Sequence, residues 1–377
     1  MRAAAYGRLE RWLHWLALEP ISVRHLAFEL DRRFALPQGG AAASGRHGGL
    51  SGPADGAVYV CGLARSGTTM LLRILDQIDD FRSLRYRDMP FVLAPNLWRW
   101  ITRQTARPAT PVERVHGDGI MVDFDSPESF EEVFWQTFAA PDSGLPCLPS
   151  GDATPELVQA FADYRALVAN PQVPGQTDGG KMRRYLSKNN NNLVRLSVLS
   201  ADPTTTLLVV YRDPVATARS LLRQHQRFSA AQGDNIFMQS YMRWLGHHEF
   251  GLNHRPYCFA LPGMPVAYPP DGLNYWLQYW TAVYGYLLAS PPLRLHFIDH
   301  DQMCAQPVLM LQALFALLGV RADAEVLARP IVMQVAETDR LHGICPELLA
   351  KAQATHWQLR ACAQNLPCLA QPVSSCG

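Results

Sequence analysis

The chain has 377 residues, with 34 Lys+Arg against 33 Asp+Glu and 48% hydrophobic content. That is enough for one large or two ordinary domains around a buried core, and 9 Trp with 15 Phe argue against disorder. A formal charge of +1 excludes a binder of nucleic acid or membrane that works through bulk positive charge, so anion chemistry has to come from local clusters.

Leu9, Trp12, Leu13 and Leu16 recur at i, i+3, i+4 and i+7, which predicts an amphipathic helix over residues 8–18. After Pro20 a second helical stretch puts Leu26, Leu30 and Phe34 on one face. This N-terminal helical arm, residues 1–36, is expected to pack on the core or on a second subunit, the latter giving a homo-oligomer. A membrane-surface role is opposed by Glu10, Glu19, Glu29 and Asp31, which dilute its basic character. His14 interrupts the apolar residues from Trp12 to Leu18, and Glu19 and Pro20 follow at once, unlike a signal peptide. Residues 37–56 are rich in Gly, Ala and Ser and predict a flexible linker.

Residues 57–320 show short apolar runs, each leading into a helical pattern. AVYVC (57–61) precedes GLARSGTT and a helix through Leu71, Leu72, Leu75 and Ile78. TLLVVY (206–211) leads through RDP into a helix to about residue 226, and LRLHFI (293–298) precedes a helix beginning near Pro307. The order predicts an α/β fold, a P-loop-like parallel sheet flanked by helices. Two segments are expected as lids or substrate walls: residues 118–142, with seven acids and no Lys or Arg, and the aromatic, Gly- and Pro-rich residues 229–275. A C-terminal helical extension fills 321–377. The apolar run Val308–Val320 is too short to span a bilayer. Cys61, Cys147, Cys258, Cys304, Cys345, Cys362, Cys368 and Cys376 form no CxxC pair, so reduced thiols in a cytoplasmic protein are expected.

The loop Gly62-Leu63-Ala64-Arg65-Ser66-Gly67-Thr68-Thr69 has the composition of an anion cradle. Its glycines let the backbone curl so that N–H groups converge. The following helix adds its positive end, Ser66, Thr68 and Thr69 add hydroxyls, and Arg65 adds a forked cation. Thr68 stands where a Walker loop carries Lys, which counts against a nucleoside triphosphate and hence against an ATP-dependent kinase. The second motif, Tyr211-Arg212-Asp213-Pro214, ends a strand; Ser220 lies two turns along the next helix, within reach of a group shared with Arg212.

GLARSGTT and, later, YRDP-x5-S resemble the two cofactor motifs of sulfotransferases that use 3′-phosphoadenosine 5′-phosphosulfate (PAPS). The resemblance covers about residues 57–320, with HFIDHDQMCAQP as a further similar segment. Arg65 in place of Lys looks like the tyrosylprotein and bacterial branch. The resemblance implies that residues 65–69 hold the 5′-phosphosulfate and that Arg212 with Ser220 holds the 3′-phosphate. It also implies a sulfuryl transfer from PAPS to a hydroxyl of a carbohydrate, lipid or small metabolite, releasing 3′,5′-ADP. A non-catalytic nucleotide-binding regulator on the same fold remains an alternative.

Such a transfer needs a base for the acceptor and cations for the leaving phosphate. Asp88 is the single acid among Arg82, Arg85, Arg87, Arg99, Arg103 and Arg107. It resembles the catalytic Glu of the tyrosylprotein enzymes in place; a structural ion pair is the other reading, and His116 is the rival base. Lys188-Asn189 resembles a family segment whose Lys touches the leaving group, although a solvated basic face is also open. The run Asn189 to Asn192 is turn-like. Asp123, Asp125, Glu128, Glu131 and Glu132 predict a charged helix face with Phe130, Phe134 and Phe138 turned inward rather than a metal site, since a singly charged sulfuryl group does not demand a divalent cation. Tyr275, Trp276, Tyr279, Trp280 and Tyr284 predict a core helix, with one ring available to stack on adenine or a sugar.

Overall fold

The strand-then-helix repeats build a parallel sheet covered on both faces. The computed structural model describes residues 7–36, 56–102, 112–113, 121–122, 127–139, 144–171, 181–233, 235–289, 295–331 and 343–363. Two helices, α1 (Arg8–Leu18) and α2 (Ile21–Ala35), precede β1 (Val58–Cys61) and α3 (Thr68–Leu75). Then come β2 (Phe81–Arg82), α4 (Pro95–Thr102), the antiparallel pair β3 (Val112–Glu113) and β4 (Met121–Val122), α5 (Glu132–Phe138), α6 (Pro155–Ala169) and β5 (Arg184–Lys188). The chain continues through α7 (Leu196–Leu199), β6 (Thr206–Tyr211), α8 (Pro214–Gly233), α9 (Ile236–Trp244) and α10 (Leu273–Ala289). It ends with β7 (Leu295–Asp299), α11 (His300–Ala305), α12 (Pro307–Leu318), α13 (Ala324–Ala328) and α14 (Pro346–Ala363).

Five parallel strands lie in the order β2-β5-β1-β6-β7. β1 is central, with Val58 level with Leu186 of β5 and Thr206 of β6. Alternate residues feed two cores. Tyr59, Cys61, Tyr185, Val209 and Tyr211 join the side of α5, α6, α8 and α10, whereas Val58, Val60, Leu186, Leu208 and Val210 join α3 and α12. This explains the unbroken apolar runs of β1 and β6, since both faces are buried. Leu75 and Leu314 are fully enclosed, and truncating either to Ala costs about 2–5 kcal/mol.

The apolar runs do not reveal β5. Its sequence RYLSK is half polar, yet every residue is buried. The Arg184 guanidinium donates to the Leu318 carbonyl at 2.6 Å and lies over the Phe81 ring at 5.3 Å. Those partners are distant in sequence, so the strand reads as a basic segment until they are in place. Within the expected C-terminal extension, α14 packs on α10, and Arg360 donates to buried Asp299 at 3.1 Å.

The N-terminal helices do pack on the core, but not through the faces that the spacing indicates. α1 buries His14, Ala17 and Leu18 while Leu9 and Trp12 are exposed; α2 buries Phe28, Asp31 and Ala35 while Leu26 and Leu30 are exposed. Specific partners choose the inner side. His14 sits beside the Tyr241 ring at 5.8 Å, and the Asp31 carboxylate accepts from the Leu97 N–H at 2.7 Å and from Asn96 Nδ2 at 2.9 Å.

The cysteine expectation is overturned for one pair. Cys147 and Cys258, 111 residues apart, form a disulfide with Cα atoms 5.0 Å apart. A backbone bridge brings them together: the Leu148 N–H donates to the Pro256 carbonyl at 2.8 Å and the Cys258 N–H to that of Leu148 at 2.9 Å. Sequence spacing carries no trace of that contact, and the cysteine argument for a cytoplasmic location falls with it. The aromatic segment 229–275 is correspondingly built from the end of α8, α9 and a 3-10 turn over Cys258–Gly263. Among the described residues no helix is long and apolar enough to cross a membrane.

Candidate active site

The carboxyl ends of β5, β1 and β6 lie side by side, and the loops that leave them converge. After Cys61 the chain turns out of the sheet at Gly62 (φ 143°), passes Arg65 at φ 70°, and enters α3 from Gly67 at φ 100°. A Cβ on Gly62 would run into the Val210 carbonyl, and one on Gly67 into the His300 ring. Only glycine fits at these two points. Arg65 is a non-glycine residue in the left-handed region, a conformation that costs about 1–3 kcal/mol and persists when neighbours hold it. Ser220 of α8 does so, accepting from Arg65 Nε at 3.0 Å. Inside the loop, Ser66 Oγ donates to the Leu63 carbonyl at 2.7 Å. Tyr284 of α10 pins the loop's start to β6: its hydroxyl donates to the Val210 carbonyl at 2.7 Å and accepts from the Leu63 N–H at 3.3 Å. The aromatic helix is thus buried core, and one of its rings shapes the glycine loop. Thr68 and Thr69 open the first turn of α3, and Thr68 Oγ1 reaches Asn190 Oδ1 at 3.4 Å.

On the far side, Asp213 caps α8 by accepting from the Ala216 N–H at 2.8 Å. Asp301 of α11 ties this turn to the glycine loop. Its carboxylate accepts from the Asp213 N–H at 2.8 Å, lies 3.6 Å from Arg212 Nε, and lies 3.6 Å from Nδ1 of His300, whose ring covers Gly67. Burial disfavours charge on His300, but the Asp301 carboxylate and the Cys304 sulfur outweigh it and hold the imidazolium up to about 9. Arg212 Nε is buried and makes no hydrogen bond, the Asp301 carboxylate being its ion-pair partner beyond hydrogen-bond distance.

At the end of β5, Lys188 lies beside Val60 of β1 and is almost fully buried, which removes the solvated-face reading. Asn189 Nδ2 donates to Glu132 at 2.8 Å, and Arg195 clamps the same carboxylate at 2.6 and 2.7 Å. Asn190 Nδ2 donates to Glu249 Oε1 at 2.9 Å. Burial opposes the Glu249 charge, but His247 at 3.4 Å and the nearby Lys188 hold the carboxyl well below the usual range. The acidic segment is corrected in part. Phe130 and Phe134 are buried as the spacing indicates, but Glu131 and Glu132 are buried too, Glu131 accepting from Trp135 Nε1 and the Tyr185 hydroxyl at 2.8 Å each. Asp123 and Asp125 lie outside the described residues. Among the described residues no cluster of His, Cys, Asp and Glu is placed to hold a metal ion.

Asp88 is fully enclosed. Arg99 donates to both of its oxygens, at 2.6 and 2.8 Å, and the Arg85 N–H donates to one at 2.8 Å. His116 lies outside the described residues. A different imidazole, His248, lines a small pocket, about the size of one water, together with Leu63 and Ala64 of the loop, Asn191, Glu249 and Arg255. His248 Nδ1 faces the Asn253 carbonyl at 3.0 Å, so that nitrogen carries the proton and Nε2 keeps its lone pair in the neutral ring.

Sequence reasoning passed over His248 and Glu249, and named the others without these contacts: Asn190 as part of a turn, Tyr284 in a core helix, and His300 and Asp301 within a segment similar to the family. The Asn run was legible only as a turn, and Asn189 does cap it by accepting from the Asn191 N–H at 3.0 Å. The DHD of HFIDHDQM was the one available signal, three polar residues at the mouth of a buried strand.

A sequence profile of the sulfotransferase family matches residues 57–269, more than half of the chain and both motif loops. The chain belongs to the sulfotransferase family. Enzymes of this family depend on PAPS. No curated protein matches this sulfotransferase in sequence. Among solved structures it is similar to sulfotransferase STF1 of Mycobacterium tuberculosis H37Rv, at 15% identity and a TM-score of 0.42 over 80% of this chain and 76% of that one. STF9 of Mycobacterium avium gives 14%, 0.40, 81% and 77%, and the Alicyclobacillus acidocaldarius sulfotransferase 14%, 0.35, 81% and 93%. Likeness this distant carries no argument about substrate; the sulfotransferase's strand order and its two loops define the site.

Proposed function

We propose that this sulfotransferase moves a sulfuryl group from PAPS to a hydroxyl of a carbohydrate, lipid or small metabolite, with 3′,5′-ADP as the other product. The observation that carries this reading is the Arg65–Ser220 hydrogen bond, which makes one site of two motifs. The residues fit a donor with anionic groups at both ends of its ribose: a cradle that admits only glycine at two points, and a buried Arg212 Nε whose ion-pair partner, Asp301, lies beyond hydrogen-bond distance. When bound, PAPS supplies the sulfuryl group and the leaving nucleotide. Backbone N–H groups of residues 66–69, Arg65, Thr68 and Thr69 grip the 5′ end, aided by the α3 N-terminus. Arg212 and Ser220 hold the 3′-phosphate. Lys188, at the neighbouring strand end, neutralises charge that grows on the leaving phosphate.

In this reading Asp88 is a positioning residue, because every described contact of its carboxylate serves Arg99 and the Arg85 turn. The base is His248, whose Nε2 takes the acceptor proton at the cavity beside the loop. Incubation with labelled PAPS and a panel of sugars, lipids and hydroxylated metabolites, read by mass shift, tests the reaction. Transfer of the label supports it; tight 3′,5′-ADP binding with no acceptor ever labelled would favour a nucleotide-binding regulator.

A further inference from the structure

The loop that carries His248, between α9 and the 3-10 turn at Cys258, is stitched together at its two ends. The His248 carbonyl accepts twice, from the Arg255 N–H at 3.0 Å and from Nδ1 of His254 at 3.0 Å. A carbonyl only accepts, so His254 Nδ1 carries the proton and Nε2 has the lone pair. That lone pair meets the Tyr275 hydroxyl of α10 at 2.7 Å. The line therefore runs one way, from Tyr275 O–H to His254 Nε2 and from His254 Nδ1–H to the His248 carbonyl. Burial pushes the His254 imidazole down to about 4, outweighing the backbone carbonyl that favours its charge. At pH 7 the ring is a neutral strut.

The neighbours leave this strut little freedom. Trp276 and Tyr279 pack on its ring, with centroids 4.7 and 6.0 Å away. α8 grips the middle of the loop: Gln232 Oε1 accepts from the Leu252 N–H at 2.6 Å, and His225 Nδ1 from the Gly251 N–H at 3.2 Å. Gly251 sits at φ 81°, where a Cβ would strike Gln232 Oε1.

We propose that Tyr275 and His254 are positioning residues for sulfuryl transfer: they fix the backbone at His248 so that its ring meets the Asn253 carbonyl through Nδ1 and offers Nε2 to the acceptor hydroxyl. The inference rests on His248 being the base. His248 Nδ1 reaches Asn253 across the same loop that His254 closes, so the direction of the ring follows the shape of the loop. The pocket beside the glycine loop is lined by His248 but by neither His254 nor Tyr275. These two therefore act through His248 and not on substrate.

Two-bond proton–nitrogen NMR of the histidine rings in the full chain tests this without an acceptor, with His248 assigned by its loss in His248→Gln. Wild-type His248 is expected as one neutral ring protonated at Nδ1. His254→Phe keeps an aromatic ring but removes both hydrogen bonds, and His248 should then divide between its two tautomers. His254→Asn puts an amide N–H near the lost Nδ1 and should restore the single form. Tyr275→Phe deletes one hydroxyl and should give a smaller share of the second tautomer. On the hydroxyl that the acceptor panel labels, His254→Phe should lower kcat about ten-fold with KM for PAPS kept, and His254→Asn should recover it. A single Nδ1-protonated His248 in His254→Phe and in Tyr275→Phe would overturn the proposal. So would a His254→Asn protein that behaves like His254→Phe, since packing alone would then explain both. Full turnover in His248→Gln would remove the base and the proposal with it, whereas unchanged tautomers alongside an inactive His248→Gln would overturn the proposal alone.

Discussion

Arg65 Nε donates to Ser220 Oγ at 3.0 Å across 155 residues of sequence. One residue belongs to the turn after β1 and the other to the second turn of α8, and the bond exists because β1 and β6 are adjacent parallel strands, with Cys61 level with Val209. Two loops that leave neighbouring strand ends in the same direction must share a crevice, which is where open parallel sheets bind ligands.

Ser220→Ala removes the partner that holds Arg65 at positive φ and one proposed ligand of the 3′-phosphate. Affinity for 3′,5′-ADP is expected to fall about ten-fold, the scale of one lost hydrogen bond of 1–1.5 kcal/mol. Titration calorimetry reads it; unchanged affinity would detach Ser220 from the site.

Gly67→Ala places a methyl group in the His300 ring at a backbone angle that suits only glycine. Nucleotide binding is expected to fall more than about 100-fold while far-UV dichroism stays native, because the damage is local to the loop. Adding His300→Ala should recover only part of the loss, since the φ of 100° remains.

His300 should stabilise the fold in a pH-dependent way. Its pKa is raised from 6.5 to about 9 by Asp301 and Cys304, against burial and the charge of Arg212. The contribution is therefore complete below about pH 6.5 and lost as pH rises through about 9. Melting of wild type and His300→Asn should differ by up to about 3 kcal/mol at pH 6, and the gap should close by pH 10. A constant gap would mean that His300 acts only by packing.

Asp88 and Lys188 should separate cleanly. Asp88→Ala leaves the Arg99 guanidinium without its carboxylate and should cost about 3 kcal/mol of stability, whereas the isosteric Asp88→Asn should change turnover only a few-fold. Lys188→Ala and His248→Gln should cut transfer about 100-fold or more with 3′,5′-ADP binding largely kept. A collapse of turnover in Asp88→Asn with unchanged melting would return the base to Asp88.

What the sequence made legible follows from locality. β1, β6 and the loops after them announce themselves because a short apolar run, a glycine turn and a helix start are all neighbours in the chain. β5 did not, because its strand character rests on Arg184 finding the Leu318 carbonyl. The Cys147–Cys258 bridge, the Asn190–Glu249 contact and the Asp301 link between the two loops are likewise long-range pairings that no spacing encodes. The N-terminal helices were legible, α1 spanning the expected residues 8–18 and packing on the core, and only the side that turns inward was not. Their periodicity is plain, but periodicity says which residues share a face and not which face turns inward.

Titration of 3′,5′-ADP and of 5′-AMP into wild type and Arg212→Ala addresses the shared site most directly. Wild type should bind the bisphosphate near 1:1 and at least about ten-fold tighter than the monophosphate, the value of one charge-assisted phosphate contact, and Arg212→Ala should erase that preference. Equal affinities in wild type would contradict the account.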